Sequence, residues 1–232
     1  MTTTRDSPDG SDVVRLVVRV WLPDRPGALG LVASRIGAIG ADIVGVDVLE
    51  RSEHVAVDEF AVTLRSEDLV KLLVREIEEV DGASVEQWER VDRFPDPLDA
   101  LETVEHVFAA DDVKDLADRL TARVRSEFNA DWTAVLRNSE LVATAGDGVP
   151  DASVLHALAS GTSASPAVAA GESGPDDLAV APLDDLGSFL LVGRAGHPFR
   201  RRERRQLIVI ARVANRVSTM LTDERSTRDA PR

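Results

Sequence analysis

The sequence predicts an α+β fold in two parts, and three observations support this prediction. The first is an order of strand, helix, strand, strand, helix and strand over about 80 residues, read from apolar spacing. The second is a segment rich in proline and aspartate at residues 92–99. The third is two pairs of short predicted strands after residue 99, preceded by one predicted helix and followed by a long one.

The first strand, turn and helix follow from the spacing of apolar residues. Apolar side chains alternate over residues 15–22, which predicts a strand. The turn 24–27 comes next, and apolar residues at three- and four-residue spacing over 29–39 predict a helix. Gly40 is suited to a left-handed exit from that helix, because glycine has no Cβ to oppose positive φ.

The rest of the first half completes the βαββαβ order. Residues 43–49 and 55–64 are predicted strands, and the short segment between them is typical of a hairpin. Ser66 is a candidate N-cap for a second helix, whose apolar stripe runs over 69–80. A fourth strand is predicted over 84–91.

The second half has its own apolar pattern. The predicted elements are helices and short strands, with a loose loop rich in small residues and a turn between the last two strands: helix 113–128, strands 132–136 and 141–145, helix 152–159, loop 160–177, strands 178–183 and 188–194 around the turn 184–187, and helix 201–222. The predicted boundaries are a disordered tail at 1–12, a first domain at 13–91, a linker at 92–99, a second domain at 100–222 and a disordered tail at 223–232.

Two motifs in the first half are similar to those of a known family. Asp24-Arg25-Pro26-Gly27-Ala28-Leu29 at the first turn and Gly40-Ala41-Asp42-Ile43 before the second strand resemble the ACT domain over about residues 14–91. The resemblance implies a ferredoxin-like fold and paired domains that bind amino acids or other small effectors and regulate an enzyme. The residues that it implies at the ligand are Asp24, Pro26, Gly27, Ala28, Leu29, Gly40, Ala41, Asp42 and Ile43.

The chemistry of the first turn agrees with an effector site in part. Pro26 is expected near the first helical position, and Gly27 lets a ligand approach the backbone. Free N–H groups at a helix start favour a carboxylate, and Asp24 and Asp42 could accept hydrogen bonds from an ammonium. Many ACT domains carry asparagine at one or both of these positions, so two aspartates predict a preference for cationic ligands. The alternative is that Asp24 caps the first helix and Asp42 ends a turn.

The second half resembles the GAF domain over about residues 101–221. The resemblance rests on the strand pair 178–183 and 187–193, on His197-Pro198-Phe199 and on the long last helix. It implies an α/β sandwich with an antiparallel sheet that binds a nucleotide or chromophore, or that serves only for dimerisation. The loop 160–177 has no aromatic residue and the chain has no cysteine, so a dimerising role for the first and last helices is expected.

Composition excludes several classes of function. A formal charge of −14, from 41 acidic and 27 basic residues, opposes binding to nucleic acid or to an anionic membrane. The polar first residues and the lack of a long apolar run predict a cytoplasmic protein without membrane partners. No nucleophile elbow, phosphate-binding loop or dinucleotide motif is present, and the four histidines stand apart, so no catalytic residue, metal or cofactor is predicted.

The prediction is therefore a non-enzymatic regulatory protein that senses a small effector, which is expected to be an amino acid, and that forms a homodimer. Trp21 and Val17, on the sheet face away from the helices, are expected to form a packing surface for a second copy or for the C-terminal half. For Trp21, the alternative is that it is an ordinary exposed aromatic residue. The alternative is an oligomerising adaptor without a small ligand, which docks an acidic partner protein through the basic run 200–205. A hydrolase or transferase with an unrecognised site is the third hypothesis.

Overall fold

The computed structural model describes residues 13–183 and 188–228. The chain divides into two compact units, Met1–Phe94 and Pro95–Arg232. Each unit contains a four-stranded sheet in which all paired strands are antiparallel, so the predicted α+β class is confirmed.

Three predicted features lie outside the described residues. They are the N-terminal tail 1–12, the turn 184–187 and the last part of the C-terminal tail, 229–232.

The first unit has the predicted βαββαβ order and the ferredoxin-like strand order β2-β3-β1-β4. Its elements are β1 (Val14–Pro23), α1 (Ala28–Ala38), β2 (Asp42–Arg51), β3 (Val55–Leu64), α2 (Val70–Glu78) and β4 (Ser84–Arg90). Both helices pack on one face of the sheet, where their apolar stripes meet alternate residues of the strands. Phe60 at the centre of β3 is fully buried in this core.

Local signals fix the ends of these elements. Gly40 has a φ of 75°, and its N–H donates to the carbonyl of Gly37 at 3.0 Å, which confirms the predicted left-handed exit from α1. Ser66 accepts a hydrogen bond from the N–H of Asp68, as an N-cap does, but it caps a single 3-10 turn at Glu67–Leu69 that leads into α2.

The second unit is an antiparallel sheet of order β6-β5-β8-β7 between two helical layers. Its elements are α3 (Asp99–Phe108), α4 (Val113–Glu127), β5 (Trp132–Arg137), β6 (Glu140–Gly146), α5 (Ala152–Ser163), α6 (Pro166–Ala169), β7 (Leu178–Pro182), β8 (Phe189–Gly193) and α7 (Arg201–Arg228). Helices α3, α4 and α7 share one core with the sheet, and α5 packs on the opposite face.

Helix α3 was not among the predicted elements. Its buried residues include Asp99, Thr103 and Val107, whereas Leu101 and Phe108 are exposed. The polar residues on the buried side break the apolar stripe, so the spacing gave no helical signal. The first turn is held by short-range bonds instead, since the N–H of Asp96 donates to the Asp99 carboxylate at 2.9 Å.

Two other helices differ from the prediction. Helix α7 continues to Arg228, whereas the prediction ended it at Thr222. The prediction was too short because residues 223–228 are polar and carry no apolar stripe. The predicted loose loop 160–177 contains the end of α5 and the short helix α6, which starts at Pro166. Proline is favoured there because the first helical N–H has no intrahelical partner.

Candidate functional site

The turn between β1 and α1 is open at its tip. Gly27 is the N-cap of α1 with a φ of 89°, and no side chain caps the helix. A Cβ at Gly27 would meet no atom within 4 Å. The helix therefore begins at Ala28, and Pro26, which was expected near the first helical position, lies two residues before it, because the left-handed Gly27 intervenes.

Three backbone N–H groups point out of this turn without a partner in the described part of the chain. They belong to Gly27, Leu29 and Gly30, all of which are exposed, whereas Ala28 is buried and its N–H donates to the carbonyl of Arg25 at 3.3 Å. Unpaired amides at the start of an 11-residue helix carry its partial positive charge. They are the groups that bind carboxylates and phosphates at helix starts.

Asp24 does not cap α1. Its Oδ1 accepts a hydrogen bond from Nη2 of Arg51 at 2.6 Å, and its N–H donates to the carbonyl of His54 at 2.9 Å. Hydrogen bonding and charge from Asp24 raise the pKa of Arg51 above its ordinary value. The alternative in which Asp24 serves as a helix cap is therefore wrong, because Asp24 is tied to the β2–β3 hairpin.

A third charged residue, Asp58, lies beside this pair. It occupies the helix-covered face of β3, in register with Val20 and Val48, and only 5% of its surface is exposed. Its Oδ1 is shielded from solvent and accepts no hydrogen bond. Burial raises the pKa of the Asp58 carboxyl, the charge of Arg51 opposes this shift, and the charge of Asp24 adds to it.

Replacement of Asp58 by asparagine is expected to stabilise the chain at neutral pH. The pKa of Asp58 is raised in the folded state, so its ionisation weakens folding as pH rises above the ordinary carboxyl value. The gain from Asp58→Asn should be present at pH 7 and should disappear near pH 3, where both side chains are uncharged. Chemical unfolding of both proteins at each pH measures this difference, and a variant less stable than wild type at pH 7 would contradict it.

The residues predicted at the ligand fall into two groups at opposite ends of the sheet. Asp24, Pro26, Gly27, Ala28 and Leu29 lie where β1 ends, whereas Gly40, Ala41, Asp42 and Ile43 lie where β2 begins. Asp42 pairs with Thr63 at the far end of β3, and β2 spans roughly 30 Å at about 3.3 Å per residue. One copy of the chain therefore does not bring Asp24 and Asp42 together, because α1 runs the length of the sheet between them.

The sheet face opposite the helices is less apolar and less open than predicted. Val17 is buried, and Trp21 is half-buried, with its indole N–H donating to Oε1 of Glu86 at 3.1 Å. Arg19 and Glu59 form an ion pair of 2.6 Å between them on the same face. Edge strand β2 carries three exposed apolar side chains, Val44, Val46 and Val48.

The basic run at the start of α7 contains a structural residue. Arg204 is buried and donates to the carbonyls of Gly174 and Pro175 at 3.1 and 2.6 Å. The N–H of Arg200 donates to the Glu203 carboxylate at 2.8 Å. Part of the run 200–205 therefore holds the second unit together, which reduces the charge that it could offer to an acidic partner.

A polar cluster joins three helices of the second unit. Glu127 of α4 accepts hydrogen bonds from Thr103 of α3 and Gln206 of α7. Burial raises the pKa of Glu127, and the two hydrogen bonds oppose that shift. Sequence patterns did not indicate this cluster, because its members are far apart along the chain.

The second unit also has an open cleft of about 350 Å³, a volume that includes space continuous with solvent. Its lining is mainly apolar, with three polar residues: Val113, Leu116, Ala117, Leu120, Val135, Leu183 and Ala214, together with Arg137, Asn215 and Ser218. On the opposite sheet face the space is filled, since a Cβ at Gly193 would lie 2.0 Å from the indole of Trp132.

Neither a metal centre nor a membrane helix is found in the parts of the chain that the structure describes. Over residues 13–183 and 188–228, no three histidine, cysteine or acidic side chains are grouped so that they could hold a metal ion. Over the same ranges, no helix is both long and apolar enough to cross a membrane.

Comparison with known proteins gives distant structural similarities. No family model matches the chain, and neither does any curated protein. The ACT domain of GTP pyrophosphokinase from Chlorobium tepidum has 13% identity and a TM-score of 0.29, with 36% of this chain and 92% of that chain covered. An unknown protein from Galdieria sulphuraria has 16% identity and a TM-score of 0.32, with 55% of this chain and 74% of that chain covered.

A third similar structure is a bacteriophytochrome, RpBphP3, from R. palustris. It has 13% identity and a TM-score of 0.42, and the alignment covers 78% of this chain and 43% of that chain. At these values, the description of both units rests on the strand order and register of this chain itself.

Proposed function

We propose that the chain is a non-enzymatic regulatory protein whose first unit, an ACT-like domain, binds an amino acid at the β1–α1 turn. The observation that carries this proposal is the set of unpaired N–H groups of Gly27, Leu29 and Gly30, in the same β1–α1 turn as Asp24. The amides would hold the ligand carboxylate and Asp24 its ammonium, so both ends of a zwitterion would find an opposite charge. The second unit, a GAF-like domain, would serve dimerisation or sensing.

A homodimer paired along β2 would complete this site. β2 is an edge strand with exposed Val44, Val46 and Val48, and its outer backbone groups are available for pairing. In an antiparallel pair related by a two-fold axis, the beginning of one strand lies beside the end of the other. Asp42 of one copy would then lie near Arg51 and Asp24 of the other copy, which reunites the two groups of predicted ligand residues.

The chain is expected to have about twice its mass of 25.0 kDa in solution at tens of micromolar. Val46→Lys should shift the mass toward the monomer, because an added charge on an edge strand opposes pairing. Val154→Lys, at an exposed valine on α5, outside β2 and outside the first and last helices of the second unit, is the matched control and should leave the mass unchanged. Light scattering measures both, and a monomeric wild type, or a dimer that persists in Val46→Lys, would refute pairing along β2.

The proposed function is tested by calorimetry with the twenty amino acids. Binding below millimolar concentration is expected, with arginine and lysine preferred over aspartate and glutamate because carboxylates surround the ammonium position. Asp42→Asn should shift the preference toward neutral amino acids. If no amino acid binds below millimolar concentration, the effector hypothesis fails and the adaptor hypothesis takes its place.

A further inference from the structure

Two carboxylates and one guanidinium interact electrostatically beside the β1–α1 turn. Asp24 follows β1, Arg51 ends β2, and Asp58 lies near the start of β3. Arg51 donates one hydrogen bond to Asp24, and its charge acts on Asp58 as well. The guanidinium of Arg51 therefore interacts with two carboxylates at once. We refer to these two residues, Asp24 and Asp58, as the acidic pair.

Asp58 lacks the hydrogen bonds that a buried carboxylate requires. Neither of its oxygens accepts a hydrogen bond within the described part of the chain, and Oδ1 is out of reach of solvent. A buried, unsatisfied carboxylate destabilises a fold, whereas charge-assisted donors satisfy it. The position therefore calls for a cationic donor that reaches further into the cluster than Arg51 does.

Arg51 is weakly held at this position. Its side chain is 65% exposed, and it contacts Asp24 through Nη2 alone, although a guanidinium carries five N–H donors. An exposed ion pair with one hydrogen bond contributes little to stability. A ligand can therefore displace the Arg51 side chain without disturbing the sheet.

We propose that the acidic pair is the cation subsite of the ligand and that Arg51 occupies it as a built-in competitor until a ligand with a guanidinium or similar group replaces it. This inference rests on the proposed function and names its ligand class, an amino acid with a planar cationic side chain. Asp58 is then the specificity-determining residue, because its unsatisfied carboxylate binds a cation with several N–H groups more tightly than a cation with fewer. The displaced Arg51 is released to solvent.

The test uses the full chain, calorimetry and three probes. Arginine carries both the guanidinium and the amino-acid group, agmatine lacks the carboxylate, and citrulline replaces the guanidinium by an uncharged urea. The variants are Arg51→Gln and Asp58→Asn. Arg35→Gln is the matched control, since it removes the Arg35–Glu76 ion pair of 3.1 Å, which is similarly exposed and lies in the helical layer of the same unit.

Arg51→Gln should tighten arginine and agmatine binding by about two- to fivefold. The gain is small because the Arg51–Asp24 ion pair, which competes with the ligand, is exposed and weak. Asp58→Asn should weaken arginine binding by roughly ten- to hundredfold and remove the preference for arginine over citrulline. Arg35→Gln should bind as wild type does. Arg51→Gln is a surface change, so its result does not depend on how Asp58→Asn folds.

The outcomes separate this inference from the proposed function. If arginine binds wild type and Arg51→Gln equally, or if Asp58→Asn keeps its preference for arginine, the inference is overturned while the amino-acid site stands. If agmatine binds Arg51→Gln more tightly than wild type and arginine binds no better than agmatine, the cation subsite stands and the amino-acid assignment fails. Absence of binding to every variant overturns both.

Discussion

Replacing Arg194 by methionine is expected to lower the free energy of unfolding by about 3–5 kcal/mol, because it removes one partner of a buried ion pair. The Arg194 side chain donates to the carbonyl of Phe128 at 2.6 Å and to that of His197 at 3.0 Å, and it pairs with Glu203 at 2.9 Å. It also lies 4.3 Å from the centre of the Phe199 ring. The substitution therefore breaks several contacts that join β8 to the start of α7.

Arg212→Met on α7 is the control for this experiment. Arg212 is exposed, so its replacement should change stability by less than about 0.5 kcal/mol. Urea unfolding followed by circular dichroism measures both variants. A loss below about 1 kcal/mol for Arg194→Met would show that the backbone carbonyls find other donors and that Arg194 does not organise this corner.

Much of the fold could be predicted because its core follows simple periodicities. Alternation placed the buried face of β1, and helical spacing placed α1 and α2. Helix α3 was not predicted, because its buried side includes Thr103 and Asp99. The end of α7 was not predicted, because it is polar. Apolar spacing detects elements only where their contacts are apolar.

The candidate site was predicted less completely, for two reasons. The pairing of Asp24 with Arg51 depends on how far the β2–β3 hairpin extends, which the sequence does not specify. Asp58 did leave a signal, because it interrupts the apolar row of Ala56, Phe60 and Val62 on one face of β3. A charged residue in such a row is costly to bury, and this marks it for a role beyond packing.

The two sequence motifs also differ in what they predicted correctly. The predicted turn and the predicted Gly40 exit both formed, and each needs a glycine at positive φ. Their joint action on one ligand could not be read from one chain, since they lie at opposite ends of the sheet. In the proposed homodimer, pairing between copies would bring them together, and the sequence carries no direct record of such pairing.

Gly27→Val is expected to weaken amino-acid binding by about a hundredfold or more, because it removes charge-assisted hydrogen bonds worth about 1.5–3 kcal/mol each. Gly27 has a φ of 89°, which a β-branched residue strongly disfavours, so the turn must change its path. The change of path moves the unpaired N–H groups of Gly27 and Leu29, and the new side chain enters the open space at the Cβ position of residue 27.

The matched control is Gly37→Ala, in the same helix but at its other end. Gly37 is exposed and has open space at its Cβ position, so alanine should leave affinity unchanged and raise stability by up to about 1 kcal/mol. Gly27→Val should lower stability by about 1–2 kcal/mol, because the left-handed conformation that the turn uses at this position is unfavourable for a residue with a Cβ. Calorimetry is therefore run at a temperature where circular dichroism shows both variants folded. Equal affinities for Gly27→Val and wild type would remove the turn from the site, and a loss in both variants would mean that binding depends on α1 as a whole.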